Sequence, residues 1–153
     1  MIHRITIDVQ DIIEKAAAQS ANDFRAMRVK NGKAVDEVYD DFVFVGDNPE
    51  QVLSQIDFAA KMLRTKLYAH LTYFTSTPSN VEFEFVTEEC RVDESLESVI
   101  ADCFLSNILS WWYTLRSTEL SLNYAQRAND DAAKALHLLT PKFTTHRDRK
   151  SVV

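Results

Sequence analysis

Scarcity of glycine constrains this chain more than any other feature. Its 153 residues include only Gly32 and Gly46, fourteen positions apart, and three prolines, Pro49, Pro78 and Pro141. A loop that cradles a phosphate needs clustered glycines where the backbone approaches the anion, so neither a P-loop nor a dinucleotide fingerprint can be built. A sandwich of many short strands needs frequent turn residues and is excluded in the same way. What remains is a set of long helices with few connections. Hydrophobic residues make up 46% of the chain, enough for a core within one domain of this length.

The chemistry-bearing residues are dispersed. Cys90 and Cys103 are separated by twelve intervening residues and lie in different kinds of segment, so they form neither a redox CxxC pair nor a zinc knuckle. Both read as reduced thiols, Cys103 in the core. His3, His70, His137 and His146 lack a second ligand at the three- or four-residue spacing that puts two side chains on one helical face. No metal, cofactor or catalytic residue is expected. The start MIHRITIDV has too short an apolar run for a signal peptide, and no stretch approaches the ~18 apolar residues of a membrane span. The expectation is a protein kept in the cytoplasm, or in something assembled there, without membrane contact.

Hydrophobic periodicity orders the elements. Ile2, Ile5 and Ile7 among polar neighbours predict a short strand over residues 2–8. Asp11 and Glu14 supply a cap and its third-position partner, and Ile13, Ala17, Ala21, Phe24 and Met27 then predict a helix over about 12–29, released at Asn31-Gly32. Residues 34–45 fit a short helical stretch. Asn48 followed by Pro49 and Gln51 marks a helix start, and Val52, Ile56, Ala59, Leu63, Leu67, Leu71 and Phe74 extend one stripe over 49–74, widened by Phe58, Met62 and Tyr73. Thr77-Pro78-Ser79-Asn80 ends it.

Residues 81–86, VEFEFV, alternate strictly and predict a strand that pairs with 2–8. Asp93 caps a third helix over 94–116, apolar on several sides and therefore central. Ser117-Thr118-Glu119 caps a fourth that runs to 139, although one bent helix over 94–139 fits if that signal is overridden. The predicted fold is mainly α: a four-helix, bundle-like domain at 1–140, a two-stranded ribbon of 2–8 with 81–86, and a flexible basic arm at 141–153.

Acids crowd the start of the third helix, where they offset the positive end of its dipole and stay solvated; this reading is preferred to a catalytic pair. His70, within the 49–74 helix and beside its main stripe, reads as a packed or partly exposed side chain, in preference to a base. Trp111, Trp112 and Tyr113 read as packing residues, because neighbours on a helix diverge by about 100° and cannot form one stacking surface. Charge is more informative. Residues 81–102 hold eight acids against Arg91, while 141–153 hold Lys142, Arg147, Arg149 and Lys150 against Asp148. The net −6 thus divides into a body at −9 and an arm at +3. An acidic body repels a phosphate backbone, which favours docking on protein over nucleic acid.

HRITIDVQDIIEKA at the start, a long capped middle helix, VEFEFV before an acidic helix start, and NYAQRANDDAAKALHLL followed by a basic tail are arranged in an order that resembles small helical head–tail connector, or adaptor, proteins. These belong to tailed phages and prophages of Bacteroides-like hosts. The resemblance implies a virion structural protein at the neck, assembled in the host cytoplasm. It implies a homo-oligomeric ring, commonly of twelve copies, in contact with the portal protein and with tail or neck proteins, and at most incidental contact with packaged DNA. The expected interface is the arm (Lys142, Phe143, Arg147, Arg149, Lys150) and an acidic face (Glu82, Glu84, Glu88, Glu89, Glu94, Glu97). The competing expectation is a cytoplasmic regulatory or adaptor protein that binds a partner through helix two or helix four.

Overall fold

The computed structural model describes residues 2–31, 43–44, 49–86 and 94–140. Strand β1 (Ile2–Asp8) leads directly into α1 (Val9–Asn31). Next come α2 (Pro49–Lys66), a 3₁₀ turn (Tyr68–His70), β2 (Leu71–Ser76), β3 (Asn80–Val86), α3 (Glu94–Tyr113) and α4 (Thr118–Leu139). The protein is mainly helical with a small antiparallel sheet.

The sheet has three strands, in the order β1-β3-β2, which corrects the expected two-stranded ribbon. The anticipated pairing of the first strand with VEFEFV is present, Ile5 opposite Phe83 and Ile7 opposite Val81. The additional strand comes from the end of the expected helix over 49–74. Leu63, Leu67, Leu71 and Phe74 keep helical spacing, so periodicity alone extends the helix, but LTYFT is rich in aromatic and β-branched residues that fit a pleated surface. The chain leaves the helix at Lys66, and His70 closes the 3₁₀ turn instead of sitting in a helix. The Thr77-Pro78-Ser79 cluster is a hairpin turn between β2 and β3. Within it, Thr77 N–H donates to Asn80 O at 2.9 Å and the Thr77 hydroxyl oxygen accepts from Asn80 N at 3.1 Å.

Other boundaries differ by a turn or less. Helix α1 starts earlier than expected, because Asp8 Oδ1 takes the Gln10 N–H at 2.9 Å and so acts as the cap assigned to Asp11. Asp11 instead pairs with Lys15 at 3.1 Å within the helix. Helix α3 ends at Tyr113, not 116, and a turn over 114–116 separates it from α4, so the single bent helix is not formed. Ser117 caps α4 as anticipated, its side chain accepting from Leu120 N at 3.4 Å. The 34–45 stretch lies outside the described residues except for Val43 and Phe44, which are buried and non-helical. The Gly46–Asn48 cap signal and the arm also lie outside them.

Helix α3 is the hub: α1, α2, α4 and β1 all meet it. Leu96, Ile100, Cys103, Phe104, Ile108, Leu109 and Tyr113 are buried around much of its circumference. The inner face of the sheet, Ile5, Ile7, Val81, Phe83 and Phe85, closes one side of the core, Phe83 meeting Phe104 at 6.3 Å and Phe74 at 5.4 Å between ring centres. On α4 the buried alanines 128, 132 and 135 let the backbones approach closely, and Ser110 and Ser121 exchange hydroxyl bonds to each other's carbonyl at 3.0 and 2.9 Å. These contacts, with Cys103 Sγ against Ala128 O at 3.4 Å, set α3 and α4 antiparallel, so the end of α4 lies beside the start of α3.

Candidate protein-docking site

A hollow of about 360 Å³ opens where the end of β1, the first turns of α1 and the first turns of α3 meet. Thr6, Ile7 and Asp8 form one wall, Asp11, Ile12 and Lys15 a second, and Glu97, Ser98, Ala101 and Asp102 the third. Topology produces this arrangement. β1 runs straight into α1, and Val9 N–H is fixed to Ser79 O of the β2–β3 turn at 3.1 Å, which holds the junction against the sheet. Helix α3 then packs against both α1 and β1.

Four carboxylates line the hollow and one ammonium, Lys15, which is already paired with Asp11. Asp8 is occupied by its cap bond. Glu97 and Asp102 make no ion pair among the described residues. The field of Asp102 reaches the α3–α4 seam: the half-buried Asp131 carboxyl is pushed above its usual range, first by burial and then by the charge of Asp102. The arrangement suits cationic side chains. Among the described residues no cluster of His, Cys, Asp and Glu is placed to hold a metal ion.

The acids singled out from sequence fall into different places. Glu97 lines the hollow. Glu82 and Glu84 sit on the outer face of β3, opposite Thr6 and Arg4. Glu84 is engaged there by Arg4 at 2.8 Å and by the Thr72 hydroxyl at 3.2 Å, and the Arg4 hydrogen bond holds its carboxyl below the ordinary range. Glu94 is the first residue of α3, while Glu88, Glu89, Lys142, Phe143, Arg147, Arg149 and Lys150 lie outside the described residues. Sequence reasoning counted Asp102 among the local acids and read Asp11 as a cap. The local pattern does not bring Asp8 and Asp11 to Glu97 and Asp102, because the β1–α1 junction and α3 come from distant stretches.

A second carboxylate on the same α1–α3 seam is treated differently. The hydroxyls of Tyr113 on α3 and Tyr124 on α4 both donate to Asp23 Oδ2, at 3.0 and 2.5 Å, and Gln19 Nε2 donates to Oδ1 at 3.0 Å. The two rings stack with centres 5.8 Å apart, and Arg127 lies over Tyr124. Burial, reinforced by Asp23, pushes both hydroxyls well above the usual tyrosine value. The sequence carried one signal for this group, an acid one residue from the buried Phe24.

The remaining candidates are packing residues. Cys103 is buried, and burial pushes its thiol up to about 12, so it is inert as a nucleophile. Trp112 meets the Phe44 ring edge-on at 5.1 Å and carries the Arg116 guanidinium 3.5 Å above it, while Trp111 packs partly buried beside it. Among the described residues no helix is long and apolar enough to cross a membrane. Comparison with family models, with curated proteins and with solved structures gives no match.

Proposed function

We propose that the chain is a non-enzymatic virion structural protein, a head–tail connector of tailed phages whose four-helix, bundle-like body assembles into a ring at the portal–tail junction. In this reading the copies, commonly twelve in head–tail connector rings, contact the portal protein above and tail or neck proteins below. The complex is built in the host cytoplasm and ends in the virion neck. The observation that carries the reading is the division of charge: an acidic hollow on the body with two carboxylates that have no ion pair among the described residues, and an arm of net +3 on the same chain. Complementary but different surfaces on one subunit make a head-to-tail contact, and head-to-tail contacts close into rings. The test is the mass of the full-length chain in solution, alone and with a portal protein. A single closed species of many copies is expected; a protomer that stays monomeric in both conditions would overturn the reading.

One observation favours the second reading, a cytoplasmic adaptor that binds a partner through α2 or α4. Phe58 is 60% exposed on α2, one turn before Met62, which borders a shallow depression with Ala59, Cys103, Ala128 and Ala132 between those helices. Phe58→Ser separates the two readings. It leaves a charge-driven ring intact and removes binding of a partner seated on α2.

A further inference from the structure

The wall of the acidic hollow formed by Thr6, Ile7 and Asp8 is also a sheet edge. Strand β3 is paired on both sides, whereas β1 has β3 on one side and no strand partner on the other among the described residues. No residue of β3 lines the hollow, so the hollow lies on that free side. In an edge strand, alternate residues aim their N–H and C=O groups away from the sheet, where they template another strand. Natural edges are commonly blunted by charge or covered. Here the edge of β1 opens onto a trough whose far wall, Glu97 and Asp102, is negative.

The edge limits the occupant. What the free groups of an edge strand template is another extended chain, which sits only about 4.8 Å from its neighbour. The occupant is therefore an extended, cationic stretch. Residues 142–153, KFTTHRDRKSVV, supply one: Phe143, Thr144, Thr145, Val152 and Val153 favour extended backbone, and Arg147 and Arg149 share one side of an extended chain. The antiparallel α3–α4 pair brings Thr140, the last described residue, to the end of the molecule where the hollow opens.

We infer that the arm of a neighbouring copy adds as a fourth strand along the free edge of β1, with Arg147 and Arg149 directed at Glu97 and Asp102. This rests on the ring reading above and specifies its contact. Backbone hydrogen bonds to β1 supply the register, and the charge pairs supply the direction of encounter and the selectivity for this segment.

The test uses the full-length chain and reads self-association by sedimentation across a concentration series. R147E/R149E and E97K/D102K are each expected to weaken association at least about tenfold, and combining them to restore most of it. T144P/T145P keeps every charge but removes two adjacent backbone donors, one on whichever side faces β1, and is expected to weaken association comparably. The proline pair and the arginine pair lie in the arm, so they test the idea even if the acid-wall variant folds poorly. Association insensitive to the charge reversals, or absence of rescue, overturns the contact. Harmless prolines reduce it to charge docking without a strand and overturn the inference. Protection of the β1 edge amides from exchange that does not change on dilution assigns the edge to the chain's own arm and also overturns it. A ring that survives all these variants leaves the connector reading in place and removes only the strand contact, whereas a chain that never associates removes both.

Discussion

The α1–α3 seam holds carboxylates at both ends and treats them in opposite ways. At one end Asp23 is capped by two tyrosine hydroxyls and an amide, and every group brought out of water there has a partner. At the other, about 18 Å along α1 from the helical rise, Asp11 has only a helical neighbour and Glu97 and Asp102 have no ion pair among the described residues. A buried polar group left without a partner is costly, whereas a solvated acid costs little. The Asp23 end therefore contributes to holding the subunit together, and the open end leaves its carboxylates solvated.

The largest effect that sharpens this contrast is at Asp23. Asp23→Ala strands the hydroxyls of two buried tyrosines and is expected to cost about 3 kcal/mol in urea unfolding, with Tyr113→Phe costing about 1 kcal/mol. Alkaline titration gives the next effect. Tyr113 and Tyr124 titrate well above the unfolded value of about 10, so their contribution to stability is complete below that pH and is lost as pH rises beyond it. Two of the five tyrosines should ionise only as the protein unfolds, and Asp23→Asn should weaken that delay. At the open end the expectation reverses. E97K/D102K should leave unfolding stability within about 0.5 kcal/mol of the parent, read by the same urea curve.

Asp131 carries the smallest effect. Its carboxyl is raised in the folded state, so folding binds its proton more readily and this group adds stability as pH falls from neutral toward the usual carboxylate range. Asp131→Asn should raise stability slightly at neutral pH and remove that component of the acid-side profile. Because Asp102 is one of the charges acting on Asp131, E97K/D102K should bring the Asp131 carboxyl back toward its ordinary value, a change visible in its side-chain NMR titration.

Much of this architecture was legible in the sequence where one local signal pointed one way. Strict alternation in VEFEFV and the isoleucines near the start identified the β1–β3 pair, and the Ser117 signal located the start of α4. Failure came where two periods overlap. Leu71 and Phe74 satisfy a helical stripe and also line β2, and only the tertiary hairpin decides between them. The buried face of α1 shows a subtler miss. Its fully buried ridge is Ile12, Ala16, Ser20 and Phe24, offset by one from most of the stripe read from apolar residues. Ser20 is buried because its hydroxyl donates to Ala17 O and accepts from Phe44 N, a pairing no local pattern announces. The candidate site was half visible for the same reason: Glu97 and Asp102 stand in one acidic run, but Asp8 and Asp11 are joined to them only by the fold.

The central claim is that the open acidic end mediates assembly through opposite charge. Sedimentation velocity of the unaltered full-length chain over a series of salt concentrations tests it most directly. A closed multi-copy species at low salt that dissociates toward protomers as the Debye length shrinks to about 3 Å near 1 M is the predicted result. A chain that is monomeric throughout, or an assembly that holds or strengthens with salt, would contradict it.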